Sequence, residues 1–556
     1  MYKIKFVFIG FLTCYVAILL SLAKIQFFTS DQDADTADYL NKQILPASRG
    51  VIYDKNGELL AGSSVTYDVQ VDPLFFKPDK VGIEQVAHIL DMTVASVSAR
   101  MQSGSSRWAM LAKDVSAQKL QTLRLLPLKG ISWDQKLKRD YPEASLAASI
   151  LGFVGQRDDG NQVGYYGLEG YYEDELRGLS GIYIGERDIT KRPLIFGLQD
   201  KLDSQDGRDI YLSIDKSVQQ IVKRKAVEGM SRYQAKEVCI IVADPNTMAI
   251  LGLSCLPDYD PRAFADFSPH AYSTSAISDT YEPGSTFKPL VVSQALEAGV
   301  ITPTEVLPEP DSIEITDYTI TNWDGKSRGR IAIPDVLAKS SNIGMVQVGA
   351  KLGNEGMYTS VLKYGFGSET GIDLQGEVSG SIKPKQYWYP IDYATATFGQ
   401  GLAVTPMQLI TAFASVVNGG ELLRPYVVER VSDNVSVNTQ HEKTVVRRVM
   451  SESTSRIMRR ILEYTIDNAE YRWQKPVGYR FGGKTGTAQI AVNGKYDTSK
   501  TIASFIGFTP VDKPRFMALI VIKEPSTSSW GSETAAPLFF EMAKELITYY
   551  GIPPEY

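Results

Sequence analysis

Three short polar motifs in a fixed order constrain this 556-residue chain more than any other feature of its sequence. The first places Ser285 and Lys288 three residues apart, directly after the turn-forming pair Pro283 and Gly284. If a helix begins after that turn, the hydroxyl and the amine share one face of it. A serine and a lysine in this arrangement can serve as a nucleophile and its base.

The Ser-x-x-Lys spacing carries little weight by itself, because it also occurs at Ser21/Lys24, Ser116/Lys119 and Ser213/Lys216. Ser285 is distinguished by the preceding Pro283-Gly284, by the continuation Phe287-Lys288-Pro289, and by the two motifs that follow in order, Ser340-Ser341-Asn342 and Lys484-Thr485-Gly486-Thr487. The ordered set, rather than any single motif, therefore predicts Ser285 as the nucleophile.

Lys288 can act as a base only under one condition. A free lysine has a pKa of about 10.4 and is mostly charged at neutral pH. Burial or a neighbouring cation must therefore lower the pKa of Lys288. Lys484 is the candidate cation, provided that the fold brings the third motif beside the first.

The second motif follows a helix-like segment at residues 333–339, so Ser340 and Asn342 are expected at a loop or helix end. Two residues apart, they could both point into one cleft. Ser340 could relay a proton to a leaving amine, and Asn342 could bind an amide of a peptide substrate. Without the other motifs, a simple Ser-Asn turn or helix cap would be the preferred interpretation.

The third motif lies in a run of mostly small residues from Gly482 to Ala488, and small residues let a substrate backbone lie against a strand. Lys484 and the hydroxyls of Thr485 and Thr487 can hold a carboxylate. The backbone N–H groups of Ser285 and Thr487 would form an oxyanion hole. A P-loop is disfavoured, because no helix pattern follows the Lys-Thr pair.

Composition argues against several other classes of protein. The net charge of -6 gives no sign of a nucleic-acid partner. The three histidines are scattered, which disfavours a Ser-His-Asp triad. There is no Cys-x-x-Cys and no cluster of histidines, so a metal site is not expected. We expect no cofactor. Cys239 and Cys255 flank a predicted hairpin centred near residue 247; we expect two buried thiols, with a cross-strand disulfide as the alternative.

The N-terminal segment is the strongest membrane signal. Residues 6–23 are nearly all apolar, with Lys3 and Lys5 before them and Lys24 after them. This length can just span a bilayer and predicts a single transmembrane anchor with a cytoplasmic tail at residues 1–5. Residues 24–41 would be a juxtamembrane linker. A cleaved signal peptide is the alternative, because Ser21-Leu22-Ala23 resembles a cleavage site.

Further motifs precede residue 206. Arg49-Gly50 introduces a predicted hairpin with an Asn56-Gly57 turn, and residues 81–101 are predicted as one helix. Two other blocks are Arg139-Asp140-Tyr141-Pro142 and Gly167-Leu168-Glu169-Gly170. With the three polar motifs, these blocks make the chain from residue 6 to about residue 550 resemble a class B penicillin-binding protein.

The resemblance implies an α+β fold with three parts. A membrane anchor (6–23) is followed by an elongated, non-catalytic α+β pedestal (42–205). The penicillin-binding transpeptidase domain (206–550) would have an antiparallel sheet flanked by helices, as in β-lactamases, with a short tail at 551–556. The chain departs from the family pattern at Thr247-Met248-Ala249, where Thr-Gly-Glu is usual, and at Trp530-Gly531, which replaces a tyrosine- and glycine-rich run.

The resemblance also implies a function: a monofunctional peptidoglycan D,D-transpeptidase, most like the septal, cell-division branch. It would form a serine acyl-enzyme with release of terminal D-Ala and would be acylated by β-lactams. The implied catalytic residues are Ser285, Lys288, Ser340 and Lys484, and the implied substrate-binding residues are Asn342, Thr485, Gly486 and Thr487.

Implied partners are stem peptides ending in D-Ala-D-Ala, β-lactam antibiotics, a SEDS-type glycan polymerase and divisome proteins. The implied location is the plasma (inner) membrane, with an extracytoplasmic catalytic domain. The alternatives are an elongation-type transpeptidase, a D,D-carboxypeptidase or β-lactamase-like hydrolase, and a catalytically silent β-lactam sensor or divisome scaffold.

Overall fold

The computed structural model describes residues 2–27, 40–102, 109–157, 162–186, 199–433, 437–492 and 495–556. The fold is α+β, as predicted. The chain divides into two compact units. One comprises Met1–Ser48 and Gly178–Asp206, and the other comprises Arg49–Arg177 and Gly207–Tyr556.

The described residues of the first unit form one helix, Tyr2–Phe27, and a three-stranded antiparallel sheet. Strand Gly181–Glu186 is central in this sheet, between Leu40–Leu45 and Gln199–Leu202. The anchor predicted at residues 6–23 falls within the helix. In the described part of the chain, no helix is both long enough and apolar enough to cross a membrane.

The second unit contains two large sheets. The first has seven strands, in which Asp209–Leu212 pairs in parallel with Ile52–Tyr53 and all other pairs are antiparallel. The predicted hairpin around Asn56-Gly57 is confirmed. The strands, in order, are Val437–Gln440, Val428–Ser432, Asp209–Leu212, Ile52–Tyr53, Leu59–Val71 and Ala109–Ser116, with Ile131–Asp140 also paired to Leu59–Val71.

The second sheet is antiparallel throughout and has five strands. Their order is Ile250–Leu256, Glu237–Ala243, Phe516–Lys523, Lys495–Thr509 and Gly482–Val492. The Lys-Thr-Gly motif therefore lies on an edge strand. Four two-stranded pairs complete the described strands of this unit: Phe153–Gln156 with Gln162–Tyr165, Val306–Glu309 with Gly329–Ala332, Ile313–Ile315 with Tyr318–Ile320, and Glu421–Leu423 with Val445–Arg448.

Helices cover both faces of the five-stranded sheet, which explains why its central strands are apolar on both sides. In strand Glu237–Ala243, Val238, Ile240 and Val242 face a core shared with helices Lys216–Tyr233 and Ala535–Tyr549. The alternate residues Cys239, Ile241 and Ala243 face a second core, which includes residues of helices Lys288–Glu297 and Pro406–Val417.

The described α-helices of this unit are Lys80–Ile89, Val94–Gln102, Ala117–Arg124, Ala148–Leu151, Gly167–Tyr171, Glu173–Leu176, Lys216–Tyr233, Ser275–Ser278, Lys288–Glu297, Ile333–Ala338, Asn342–Lys363, Pro390–Ala396, Pro406–Val417, Glu452–Asp467 and Ala535–Tyr549. The single helix predicted at residues 81–101 is wrong. Two helices stand there, because Asp91 between them adopts a left-handed conformation (φ 53°) that ends the first.

The prediction of two free thiols in the hairpin of strands Glu237–Ala243 and Ile250–Leu256 is also wrong. Cys239 and Cys255 are directly opposite in the register, as the hairpin geometry predicted, and they form a disulfide. At the hairpin tip Met248, which stands in place of the usual glycine, takes a left-handed conformation (φ 60°).

Three motifs that lie far apart in the sequence meet at one buried carboxylate. Glu169 is fully buried and accepts hydrogen bonds from Arg49 Nε and Arg139 Nε, both at 2.6 Å. Tyr141 Oη donates to the same carboxylate at 3.2 Å. Burial raises the pKa of Glu169, but the charges of Arg139 and Arg49 outweigh this effect and lower the pKa overall. This cluster joins the Arg49, Arg139 and Glu169 blocks that the sequence singled out.

Replacing Glu169 with Ala should destabilise the protein by about 3–5 kcal/mol, because it leaves two buried guanidinium groups without their shared carboxylate. The matched control is Glu175→Ala, which removes a partly exposed ion pair with Arg208 and should cost about 0–1 kcal/mol. Urea unfolding of both variants measures the difference. Equal losses of stability in the two variants would contradict the assigned role of the cluster.

Candidate active site

The turn that carries Ser285 is tightly packed. Gly284 has a positive φ of 55°, and the chain then forms a short 3-10 helix, Gly284–Phe287, that continues into helix Lys288–Glu297. A Cβ added at Gly399 would lie 2.2 Å from the carbonyl oxygen of Gly284, so Gly399 allows its loop to support the turn. The predicted helix start at Ser285 is thus present, with a tighter first turn than an α-helix.

Lys288 is fully buried and reaches the second motif. Its Nζ donates to the carbonyl oxygen of Ser340 at 2.6 Å and to Asn342 Oδ1 at 2.9 Å. It also lies 3.2 Å from Ser340 Oγ. No carboxylate lies within ion-pair distance of Lys288 in the described part of the chain.

Ser340 lies at the centre of the cluster. Its Oγ donates to Ser285 Oγ at 2.9 Å and accepts from Lys484 Nζ at 3.1 Å. Its backbone is left-handed (φ 55°), in the step between helix Ile333–Ala338 and helix Asn342–Lys363. This conformation is uncommon for a serine, and strain of this kind clusters at functional sites. The loop position expected for Ser340 is therefore observed.

Lys484 comes from the edge strand Gly482–Val492 and is almost completely buried, with 2% of its surface exposed. Its Nζ also donates to the carbonyl oxygen of Thr485 at 3.1 Å. Burial lowers the pKa of Lys484 to about 7. Burial, and secondarily the charge of Lys484, lowers the pKa of Lys288 well below its ordinary value. A base at Lys288 requires that burial or a neighbouring cation lower its pKa, and both effects are present in the structure.

The remaining candidate residues line the same region. Asn342 Oδ1 is engaged by Lys288, and its Nδ2 donates to the carbonyl oxygen of Thr321 at 3.2 Å. A Cβ at Gly486 would approach Ser504 Oγ at 2.4 Å and Thr286 Cγ2 at 2.9 Å, so only glycine lets this strand lie against the Ser285 turn. Thr487 Oγ1 accepts from the N–H of Gly531 at 3.2 Å.

These residues open into a cleft of about 540 Å³, a size typical of ligand sites. Ser285, Ser340, Asn342, Lys484, Thr485 and Thr487 all line it. Trp323 and Trp530 also line the cleft and make an edge-to-face contact with ring centroids 5.2 Å apart. Both rings are partly exposed, so they offer apolar surface to a bound ligand.

Two contributions to the site were missed by the motif reasoning. The pairing of Trp323 with Trp530 joins positions 207 residues apart, and the departure from the family pattern at Trp530 did not indicate a partner. The buried carboxylate of Glu309 lies behind the second motif and bonds to Ser341 and Asn322. Asn322 lies in the turn-like sequence Asn322-Trp323-Asp324-Gly325, whereas no local signal marks Glu309.

Two models of protein families match this chain. The family model described as "Penicillin binding protein transpeptidase domain" matches residues 238–544. The model described as "Penicillin-binding Protein dimerisation domain" matches residues 44–212.

Relatives match along most of their length. "Stage V sporulation protein D" of Bacillus subtilis (strain 168) is 31% identical over 99% of this chain and 86% of its own. A "Peptidoglycan D,D-transpeptidase FtsI homolog" of Mesostigma viride is 32% identical over 91% of this chain and 88% of its own. The crystal structure of a peptidoglycan synthetase from Bifidobacterium adolescentis ATCC 15703 is 27% identical, covers 93% of this chain and 98% of its own, and superposes with a TM-score of 0.74. On the motifs, the fold and these matches, the chain belongs to the class B penicillin-binding proteins.

Proposed function

We propose that this protein is a serine D,D-transpeptidase that crosslinks peptidoglycan stem peptides. The observation that carries the proposal is the continuous hydrogen-bonded path from Lys288 and Lys484 through Ser340 Oγ to Ser285 Oγ. A neutral amine at one end of this path and a hydroxyl at the other are what acyl transfer to serine requires.

In the first step, Ser285 Oγ attacks the carbonyl carbon of the penultimate D-Ala. The hydroxyl proton passes to Lys288, directly or through Ser340, as the Oγ–C bond forms. The N–H groups of Ser285 and Thr487 stabilise the oxyanion. When the peptide C–N bond breaks, the proton returns through Ser340 to the nitrogen of the leaving D-Ala, and the donor peptide remains as an ester on Ser285.

In the second step, an amine of a neighbouring stem attacks the ester carbonyl. The new C–N bond forms, the C–O bond to Ser285 breaks, and a proton lost by the amine restores the serine hydroxyl. Lys484, Thr485 and Thr487 hold the terminal carboxylate of the donor in the first step, while Asn342 binds an amide of its backbone. The donor lies along the open side of the edge strand, next to Thr485 and Thr487, which line the cleft.

A product analysis tests the reaction class. The full-length protein is incubated with a donor peptide ending in D-Ala-D-Ala and with an amine acceptor peptide, and the products are separated by mass. We expect one D-Ala released per crosslinked dimer, and neither product with Ser285→Ala. D-Ala release with only shortened monomers would identify a hydrolase, and covalent β-lactam binding without any D-Ala release would identify a sensor or scaffold.

For the cellular role, we propose septal wall synthesis with a SEDS-type glycan polymerase and divisome proteins as partners. The relative that is named an FtsI homolog supports a cell-division role. Because the substrate lies outside the cytoplasm, we place the catalytic unit on that side. Depletion should give filaments that lack septa. Rounded cells would indicate an elongation role, and normal vegetative growth with defective spores would favour a role like the one named for the Bacillus subtilis relative.

A further inference from the structure

The second motif rests on a buried carboxylate. Glu309 ends strand Val306–Glu309 and is fully buried. Its Oε1 accepts hydrogen bonds from Ser341 Oγ and, at 3.1 Å, from Asn322 Nδ2. Its Oε2 accepts from the backbone N–H of Arg328 at 3.0 Å, and the Arg328 guanidinium lies 3.6 Å from Oε1. A buried carboxylate held by this many donors has a fixed position.

The two side chains that donate to Glu309 both cap helix Asn342–Lys363. Asn322 Oδ1 accepts from the backbone N–H groups of Asn342 at 2.9 Å and Ile343 at 3.3 Å. Ser341 Oγ accepts from the N–H of Gly344 at 2.8 Å. Glu309 accepts hydrogen bonds from the Asn322 amino group and the Ser341 hydroxyl. Asn322 Oδ1 and Ser341 Oγ are therefore free to accept from the N–H groups of the helix. The carbonyl oxygen of Lys326 also accepts from Asn322 Nδ2, at 2.9 Å. Glu309 thus fixes the orientation of the Ser341 cap and, together with Lys326, that of the Asn322 cap.

The capped end of this helix holds Lys288. Asn342 is its first residue, and Ser340 precedes the cap residue Ser341 in a left-handed conformation. The Ser340 and Asn342 oxygens accept the hydrogen bonds of Lys288 Nζ described above. A continuous set of contacts therefore leads from Glu309, through Asn322 and Ser341, to Lys288.

We propose that Glu309 is a positioning residue for the acylation of Ser285, acting through Asn322 and Ser341 on the Ser340–Asn342 turn. The inference rests on the proposed transpeptidase function. Glu309 does not line the cleft, so it contacts no substrate itself. Without its carboxylate, the Ser341 hydroxyl can rotate and the Asn322 amino group is held by the Lys326 carbonyl alone, so the hydrogen-bond acceptors around Lys288 are less firmly fixed. Small displacements of catalytic groups have large kinetic effects, and we expect the acylation rate constant to fall about tenfold.

Stopped-flow acylation by a fluorescent penicillin tests this role. Glu309→Ala should lower the first-order acylation rate constant about tenfold. Glu309→Gln, which keeps a carbonyl oxygen for Ser341 and Asn322, should recover most of the rate. The matched control is Glu314→Ala, because the exposed Glu314 carboxylate bonds only to Thr319 among the described residues, and its rate should not change.

The rate constant separates positioning from simple stability, since a loss of folded protein lowers the amplitude of labelling but not its rate constant. A wild-type rate constant in Glu309→Ala would overturn the proposal. If that variant yields no folded protein, Asn322→Ala provides the same test. Its acylation rate constant should fall about tenfold. An unchanged rate constant in Asn322→Ala would contradict the proposal. In the double variant the losses should not add, because both residues act through one turn. Absence of labelling in the wild type would instead overturn the proposed function.

Discussion

Replacing Ser285 with Ala should abolish covalent labelling by a fluorescent penicillin, a loss of about 10⁴-fold or more in acylation rate. Ser285 Oγ is the one oxygen that both lines the cleft and accepts the hydrogen bond of Ser340 Oγ at 2.9 Å. Without it, no atom remains to form the ester. Gel fluorescence after denaturation measures the label, because only a covalent adduct survives.

The control for this variant is a second Ser-x-x-Lys pair in the same chain. Ser116 caps helix Ala117–Arg124 by accepting from the N–H of Lys119 at 3.3 Å. Ser116→Ala should cost about 1 kcal/mol of stability and leave labelling intact. Equal labelling of the wild type and Ser285→Ala would show that another residue is the nucleophile.

Replacing Lys288 with Met should lower the acylation rate by about 10²–10⁴-fold, the usual contribution of a positioned general base. Lys288→Arg should not restore the rate, because a guanidinium stays protonated in a protein. Lys351→Met is the control. Lys351 lies on the long helix that begins at Asn342, and it forms a partly exposed ion pair with Glu305. A loss smaller than threefold in Lys288→Met would exclude Lys288 as the base.

The lowered pKa values also predict how the rate depends on pH. The acylation rate should fall as the pH is lowered and Lys288, whose pKa is well below its ordinary value, gains a proton and stops acting as a base. Above pH 7 it should fall again as Lys484, whose pKa is about 7, loses the charge that attracts a carboxylate. Lys484→Met removes a cation near Lys288, which raises the pKa of Lys288. The acid limb of its profile should therefore shift to higher pH, and a shift to lower pH would contradict this coupling.

The catalytic cluster could be predicted from the sequence because its reactive residues all belong to short local motifs. Ser285, Lys288, Ser340 and Lys484 each belong to a short motif, and the order of these motifs implied that they meet. The sequence analysis also required a lowered pKa for a lysine that acts as a base. Lys288 meets this requirement, because it is buried beside Lys484. No fold-level information was needed to choose Ser285 among the several Ser-x-x-Lys pairs of the chain.

What remained hidden depends on contacts between distant residues or on single backbone conformations. Glu309 bonds to Ser341 across 32 positions, and nothing in its own neighbourhood indicates burial. The hydrogen bond between Arg49 and Glu169 joins residues 120 positions apart in the sequence. The break between helices at Asp91 depends on one left-handed residue within an otherwise helical apolar pattern. The register of Cys239 with Cys255 was predictable, but whether a facing pair is oxidised was not.

The central claim is that the donor peptide forms an ester with Ser285 and loses its terminal D-Ala in the same step. The most direct measurement is the mass of the intact protein, followed by peptide mapping, after rapid quenching with a donor substrate that ends in D-Ala-D-Ala. We predict a single adduct equal to the donor minus its terminal D-Ala, located on the peptide that contains Ser285. An adduct on any other residue, or turnover of the donor without an adduct on Ser285, would contradict the account.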